Sequence, residues 1–171
     1  SESGEGRVLK FVLPVAGREA AGGKPGEMLE TESVIIPMIG KKRSRTYTLC
    51  VSSQVGCAMG CGFCQTAQMG LIRSLSPAEI VQQWFAARHL LERPDPSAAI
   101  TNIVFMGMGE PLANLDSVIQ AISVLTDRRG PGLAMSKISV STVGRVDGIA
   151  RLAERVREPG WHRLGLAVSL N

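Results

Sequence analysis

Histidine is scarce. The 171-residue chain has two, His89 and His162, and they stand alone. Zinc sites favour C-x2-C units joined by a second pair or by histidines, and no second pair follows the one cysteine cluster. Cysteine is scarce too, at four residues, fewer per residue than the disulfide frameworks of small secreted domains use. No apolar run approaches the roughly 20 residues of a membrane span, and no signal peptide is expected. Aromatics are 4 % of residues, so there is no obvious platform for stacking the bases of single-stranded RNA. These absences leave a cytoplasmic domain with a sizeable core, free thiols and no membrane partner, expected as a monomer.

What is present is concentrated. Cys57-Ala58-Met59-Gly60-Cys61-Gly62-Phe63-Cys64 spaces three cysteines as C-x3-C-x2-C. Three cysteines within eight residues cannot pair evenly as disulfides. A fully ligated four-iron cluster takes four cysteines, so three thiolates leave one iron open to another ligand. A zinc site or bland buried thiols are the rival reading. The net charge of +4 and pI near 9.1 lean mildly toward an anionic partner. Lys41-Lys42-Arg43-Ser44-Arg45 concentrates four of those charges. It suits a nucleic-acid patch or, equally, a solvated turn between strands.

Residues 8–13 and 33–36 read as short strands around the glycine-rich stretch Gly22-Gly23-Lys24-Pro25-Gly26, and Thr46 to Ser52 as a third strand leading into the cysteine loop. Ser76-Pro77-Ala78-Glu79 opens a helix as a capping box with proline at the first helical position. Its inward stripe is Ile80, Trp84, Arg88 and Leu91, with Val81 and Phe85 beside it and the two aromatics as core anchors. Strands follow at 100–106, 137–142 and 164–169. Helices lie between them, one from about Leu115 with Val118, Ile119, Ile122 and Leu125 inward, one with Ile149, Leu152, Ala153 and Val156 inward. Strand and helix alternate three times, which predicts βαβ units and a parallel sheet. Active sites of such α/β folds gather where strands end. The strand ends here are Met106-Gly107-Met108-Gly109-Glu110-Pro111 and Ser141-Thr142. Glycine lets backbone approach a ligand, and a carboxylate there can hold an ammonium or ribose hydroxyls.

The combination resembles the radical S-adenosylmethionine superfamily, and within it the bacterial ribosomal RNA adenine-C2 methyltransferases, a branch that also modifies transfer RNA and has relatives that act on carbon 8. The matching stretches are 32–37, 49–57, 63–68, 106–112, 139–144 and 166–170, in family order. The resemblance implies a partial (βα)n radical SAM barrel of α/β class. Residues 1–45 would be a small β extension and residues 46–171 the first part of the barrel.

It also implies roles. Cys57, Cys61 and Cys64 would hold a 4Fe-4S cluster. Gly109, Glu110, Ser141, Ser169, Leu170 and Asn171 would bind S-adenosyl-L-methionine, with Asn171 standing where the family usually has histidine. Glu32 matches the family's general base, and Cys50 the cysteine that resolves the enzyme–RNA adduct by forming a disulfide. The implied substrate is 23S rRNA, with tRNA a second one, and the implied electron donor is a protein such as flavodoxin. Blander readings exist: a solvated carboxylate for Glu32, an inert buried thiol for Cys50, a turn-capping hydroxyl for Ser141, and core filling for Met59, Met69, Met106 and Met108. The family carries its methyl on a cysteine near its carboxyl end, and none of these residues matches it. The chain stops directly after an apolar run, so it reads as a piece of a longer protein, able to hold a cluster without completing a turnover.

Overall fold

A computed structural model describes residues 2–3, 6–17, 26, 28–39, 45–92 and 97–169 of the chain. Two very short strands, β1 (Glu2–Ser3) and β2 (Gly6–Arg7), pair with each other. The main sheet has six strands: β3 (Leu9–Ala16), β4 (Met28–Ile39), β5 (Arg45–Cys50), β8 (Ala99–Phe105), β9 (Ile138–Thr142) and β10 (Gly165–Val168). Their spatial order is β10-β9-β8-β5-β4-β3. From β5 to β10 the pairs are parallel, while β3 and β4 add on antiparallel. Helices α2 (Pro77–Glu92), α3 (Leu115–Thr126) and α4 (Val146–Arg155) occupy the crossovers. The βα alternation read from the sequence is therefore a parallel sheet, as expected for a partial barrel with a β extension.

The sheet and helices enclose one core. Ile35, Leu49, Ile103, Ile138 and Val140 on the strands meet Ile80, Ala87, Leu115, Val118 and Ile122 on the helices, all with essentially no exposure. β4 is three times as long as the four residues that hydropathy marks out, and its added core-facing positions include the polar Thr31. Pro37 fits inside it because β3 pairs only as far as Ile35, leaving the far side of Pro37 without a ladder partner.

The capping box on α2 forms as expected. The Ser76 hydroxyl accepts the Glu79 N–H at 3.3 Å, and the Glu79 carboxylate accepts the Ser76 N–H at 2.8 Å. The inward stripe differs. Ile80, Val81, Gln83, Ala87 and Leu91 are buried, whereas Phe85 is 57 % exposed and packs edge-on against half-buried Trp84. The displaced position is taken by an amide. Gln83 accepts from the Ser52 N–H at 2.8 Å and the Ser33 hydroxyl at 2.7 Å, and donates to the Ser52 carbonyl at 2.9 Å. Those bonds replace the ladder where β5 stops, and they outweigh what another apolar anchor would add. At α4 Gly148 and Leu152 are buried, Ile149 and Val156 pack partly buried against the core as expected, and Ala153 is exposed. The stretch holding Lys41, Lys42, Arg43 and Ser44 lies outside the described residues.

Candidate active site

Between β5 and α2 the chain makes a small hairpin not foreseen from the sequence, β6 (Gln54–Gly56) with β7 (Leu71–Ser74). A single turn of helix, α1 (Gln65–Gln68), lies inside it. The Cys57 N–H donates to the Gly70 carbonyl at 3.0 Å, so the cysteine loop is closed at its neck. The hairpin is fastened to α2 by Arg73, whose side chain is 1 % exposed and bonds both oxygens of Glu79 at 3.0 and 2.7 Å. Burial alone would raise the Glu79 carboxyl. The bonds from Arg73 and Ser76 outweigh it and hold the group down at about 2.

The loop faces a cleft of about 320 Å³ at the carboxyl ends of the parallel strands, within the roughly 300–1,000 Å³ of small-molecule sites. Cys57, Cys61 and Cys64 line it together with Gly109, Glu110, Ser141 and Ser169. Met59, Phe63 and Met106 also line it. Met108 is buried and Met69 lies exposed away from it. All four cysteines are free thiols.

Glu110 is 3 % exposed. One carboxylate oxygen accepts the Leu112 N–H and the other the Val143 N–H, each at 3.0 Å. No arginine, lysine or histidine pairs with it among the described residues. Two amides leave about half of a carboxylate's lone-pair sites for a donor in the cleft, and a buried anion favours a cationic one. Gly109 before it has φ +93°, and a Cβ there would lie 2.4 Å from the Cβ of Gln54. This glycine therefore makes room for a protein side chain, beyond the close approach to a ligand expected of it.

Ser141 enters the cleft, and the turn-capping role falls to its neighbour. The Thr142 hydroxyl accepts the N–H groups of Gly144 and Arg145 at 3.1 and 3.3 Å. Ser169 is held by its N–H to the Thr142 carbonyl at 2.9 Å. Leu170 and Asn171 lie outside the described residues.

Glu32 and Cys50 do not line the cleft. Register puts Cys50 opposite Val34 and Val104, Val104 opposite Ser139, and Ala167 opposite Ser141. Strand side chains alternate in direction, so Glu32, Cys50, Ser141 and Ala167 share one sheet face. The Glu32 carboxylate meets Lys10 at 2.7 Å and is half exposed, while its carbonyl accepts the Ser52 hydroxyl at 2.6 Å. Burial pushes the Cys50 thiol up, and the Met106 amide offsets part of that. At this point the bland reading of Cys50 as a buried thiol describes its surroundings.

The three loop cysteines suit a polynuclear group. Burial pushes the Cys57 thiol up, the Met59 amide pulls it back, and negative charge at Cys61, Cys64 and Glu110 raises it further. Thiolates gathered this way need a cationic centre to balance them, and binding one releases their protons. Among the described residues no three His, Cys, Asp or Glu side chains close on a point as ligands of a single ion would. Cluster ligands sit on different irons and stand further apart. The donor set fits the 4Fe-4S group, and Glu110 lines the same cleft.

Sequence reasoning missed Phe63, Gln54 and Gln83. Phe63, in a loop of small residues beside Cys64, could have been found. The two glutamines carry no local signal.

A sequence model described as the radical SAM superfamily matches residues 51–169. The dual-specificity RNA methyltransferase RlmN of Xanthomonas campestris pv. campestris is 48 % identical over 141 residues, 82 % of this chain and 32 % of that protein. A protein of Desulfitobacterium hafniense named "Probable dual-specificity RNA methyltransferase RlmN" is 43 % identical over 146 residues, covering 85 % and 39 %. The crystal structure of a radical SAM methyltransferase from Sphaerobacter thermophilus superposes with TM-score 0.75 at 32 % identity, covering 99 % of this chain and 43 % of that one. The chain thus spans about a third to two-fifths of the length of these curated relatives.

Proposed function

The chain belongs to the radical S-adenosylmethionine superfamily, and on that premise we propose that it carries the cluster and cofactor region of an RNA methyltransferase. Its substrate is carbon 2 of an adenine in 23S rRNA, with tRNA as a second substrate. The observation that carries the reading is the convergence of Cys57, Cys61, Cys64 and Glu110 on one cleft at the strand ends. The names of the RNA-modifying relatives support the substrate class.

When bound, the cluster and S-adenosylmethionine supply the electron and the radical chemistry that activates a methyl group. The chain's own residues position them. Cys57, Cys61 and Cys64 would hold the cluster as thiolates. Glu110 takes the cofactor ammonium on the lone pairs its two amides leave unused. Ser141 and Ser169 offer polar contacts along the same wall, and the family resemblance gives Leu170 and Asn171 a part in the same cofactor site. Glu32, on the sheet face that carries Ser141, accepts the ring proton. Cys50 serves as the thiol that releases the product by disulfide formation with the family's methyl-carrying cysteine. A low-potential donor such as flavodoxin delivers the electron, and the working unit is a cytoplasmic monomer.

The test is anaerobic incubation of a reconstituted protein bearing this chain and the methyl-carrying cysteine with reductant, methyl-labelled S-adenosylmethionine, and 23S rRNA or tRNA. Nucleoside mass spectrometry should find the label on carbon 2 of adenine. Label on carbon 8, or cofactor cleavage with no labelled adenine, would overturn the substrate assignment and leave the superfamily chemistry standing.

A further inference from the structure

We propose that Gln54 is a positioning residue, which ties the neck of the cysteine loop to the carboxylate that binds the cofactor amine. The inference rests on the proposed function, through the role given to Glu110.

Gln54 lies three residues before Cys57 and is 1 % exposed. It is not among the residues that line the cleft, so any influence on a ligand passes through another group. Its carbonyl oxygen accepts the main-chain N–H of Glu110 at 2.9 Å. An amide N–H can only donate, so this end of the side chain must be the oxygen. Its nitrogen donates to the Ser74 hydroxyl at 3.2 Å, on the opposite strand of the hairpin. A buried carboxamide is costly to leave unpaired, and here both ends are used.

The main chain makes the link rigid. The Met108 carbonyl accepts the N–H groups of Ser53 and Gln54 at 2.9 and 3.2 Å. Gly109 lies directly on the Gln54 side chain, where any Cβ would collide with it. Glu110 is therefore fixed at three points. Its carboxylate takes Leu112 and Val143, and its own N–H goes to Gln54. The first caps the short helical turn that follows Glu110, and the second fastens Glu110 to the end of β9. Only the third refers it to the hairpin whose neck holds Cys57 against Gly70. A cofactor that binds an iron through one end and Glu110 through its ammonium needs those two points at a fixed separation, and Gln54 is the side chain that sets it.

The test uses Gln54→Met, which keeps the shape and removes both bonds, on protein reconstituted anaerobically with iron and sulfide. The readouts are iron per chain, the affinity for S-adenosylmethionine, and the change its addition causes in the electron paramagnetic resonance spectrum of the reduced cluster. The expected result is unchanged iron with affinity lowered on the order of tenfold and a smaller spectral change. Ser74→Ala, which removes only the partner of the Gln54 nitrogen, should lower affinity by about threefold. If Gln54→Met does not fold, unchanged affinity in Ser74→Ala overturns the proposal. Full affinity in folded Gln54→Met overturns it, and so does loss of iron in parallel with affinity, which marks a structural role in the loop. A wild-type protein that takes up no iron would instead sink the reading on which the inference rests.

Discussion

The carboxylate of Glu110 accepts the main-chain N–H of Val143 at 3.0 Å, so a side chain at the end of β8 fastens the loop that leaves β9. The bond holds a buried carboxylate on the wall of the cleft that the cysteine loop also lines. Replacing Glu110 with glutamine removes that charge and turns an N–H₂ toward one of two amides that can only donate. Iron incorporation should persist, while affinity for S-adenosylmethionine falls about ten- to a hundredfold, as loss of a charged hydrogen bond implies. Titration of the reconstituted variant measures both. Unchanged affinity would remove Glu110 from the cofactor site.

The Arg73–Glu79 pair predicts a pH dependence. The Glu79 carboxyl is lowered from 4.5 to about 2 in the fold. Its contribution to stability is therefore complete above about pH 4.5 and is lost as pH falls through about 2. Glu79→Gln leaves the buried guanidinium of Arg73 without its counter-charge and should cost ~3 kcal/mol at neutral pH. It should also flatten the acid limb of stability. Thermal unfolding of both proteins between pH 2 and 7 reads the difference, and parallel curves would contradict the assignment.

Much of this arrangement is legible in the sequence. The C-x3-C-x2-C spacing, the Ser76–Glu79 capping box and the strand-end Gly109-Glu110 each carry a local signal, and the structure brings the cysteines and Glu110 to one cleft. What escaped notice depends on distant partners. Gln83 replaces an apolar anchor because the main chain of Ser52, 31 positions away, needs acceptor and donor together. Gln54 is polar and sits in a short strand, and nothing nearby shows that it meets Glu110. β4 hid two-thirds of its length, and among its added core-facing positions Thr31 is polar. Periodicity detects apolar faces, and these positions are polar.

Two glycines of the cysteine loop separate crowding from backbone strain. Gly56 has φ +74°, and a Cβ there would fall 1.9 Å from the Gly70 carbonyl oxygen. Gly60 has φ +67° with nothing within 4 Å. Gly60→Ala should cost ~1 kcal/mol, the left-handed penalty alone, and keep iron uptake. Gly56→Ala should cost roughly 3 kcal/mol or more and reduce iron uptake, because the neck at Cys57 must open. Equal effects in unfolding and reconstitution assays would show that the neck does not matter.

Cys50 offers a contrast in reactivity. Burial pushes its thiol up from 9.0, whereas Cys61 and Cys64 are partly exposed. In iron-free protein at neutral pH, iodoacetamide should therefore label Cys61 and Cys64 well before Cys50, and labelling of Cys50 should rise only as pH passes 9. Peptide mass spectrometry follows each site. Rapid labelling of Cys50 at pH 7 would mean that its strand end opens readily.

The central claim is that three loop cysteines, and not the fourth, hold an iron–sulfur cluster. Iron and acid-labile sulfide analysis after anaerobic reconstitution tests it most directly. About four of each per chain are expected, retained in Cys50→Ala and lost in Cys57→Ala, Cys61→Ala and Cys64→Ala. Zinc in place of iron, or a full iron complement in the Cys57, Cys61 or Cys64 variants, would contradict it.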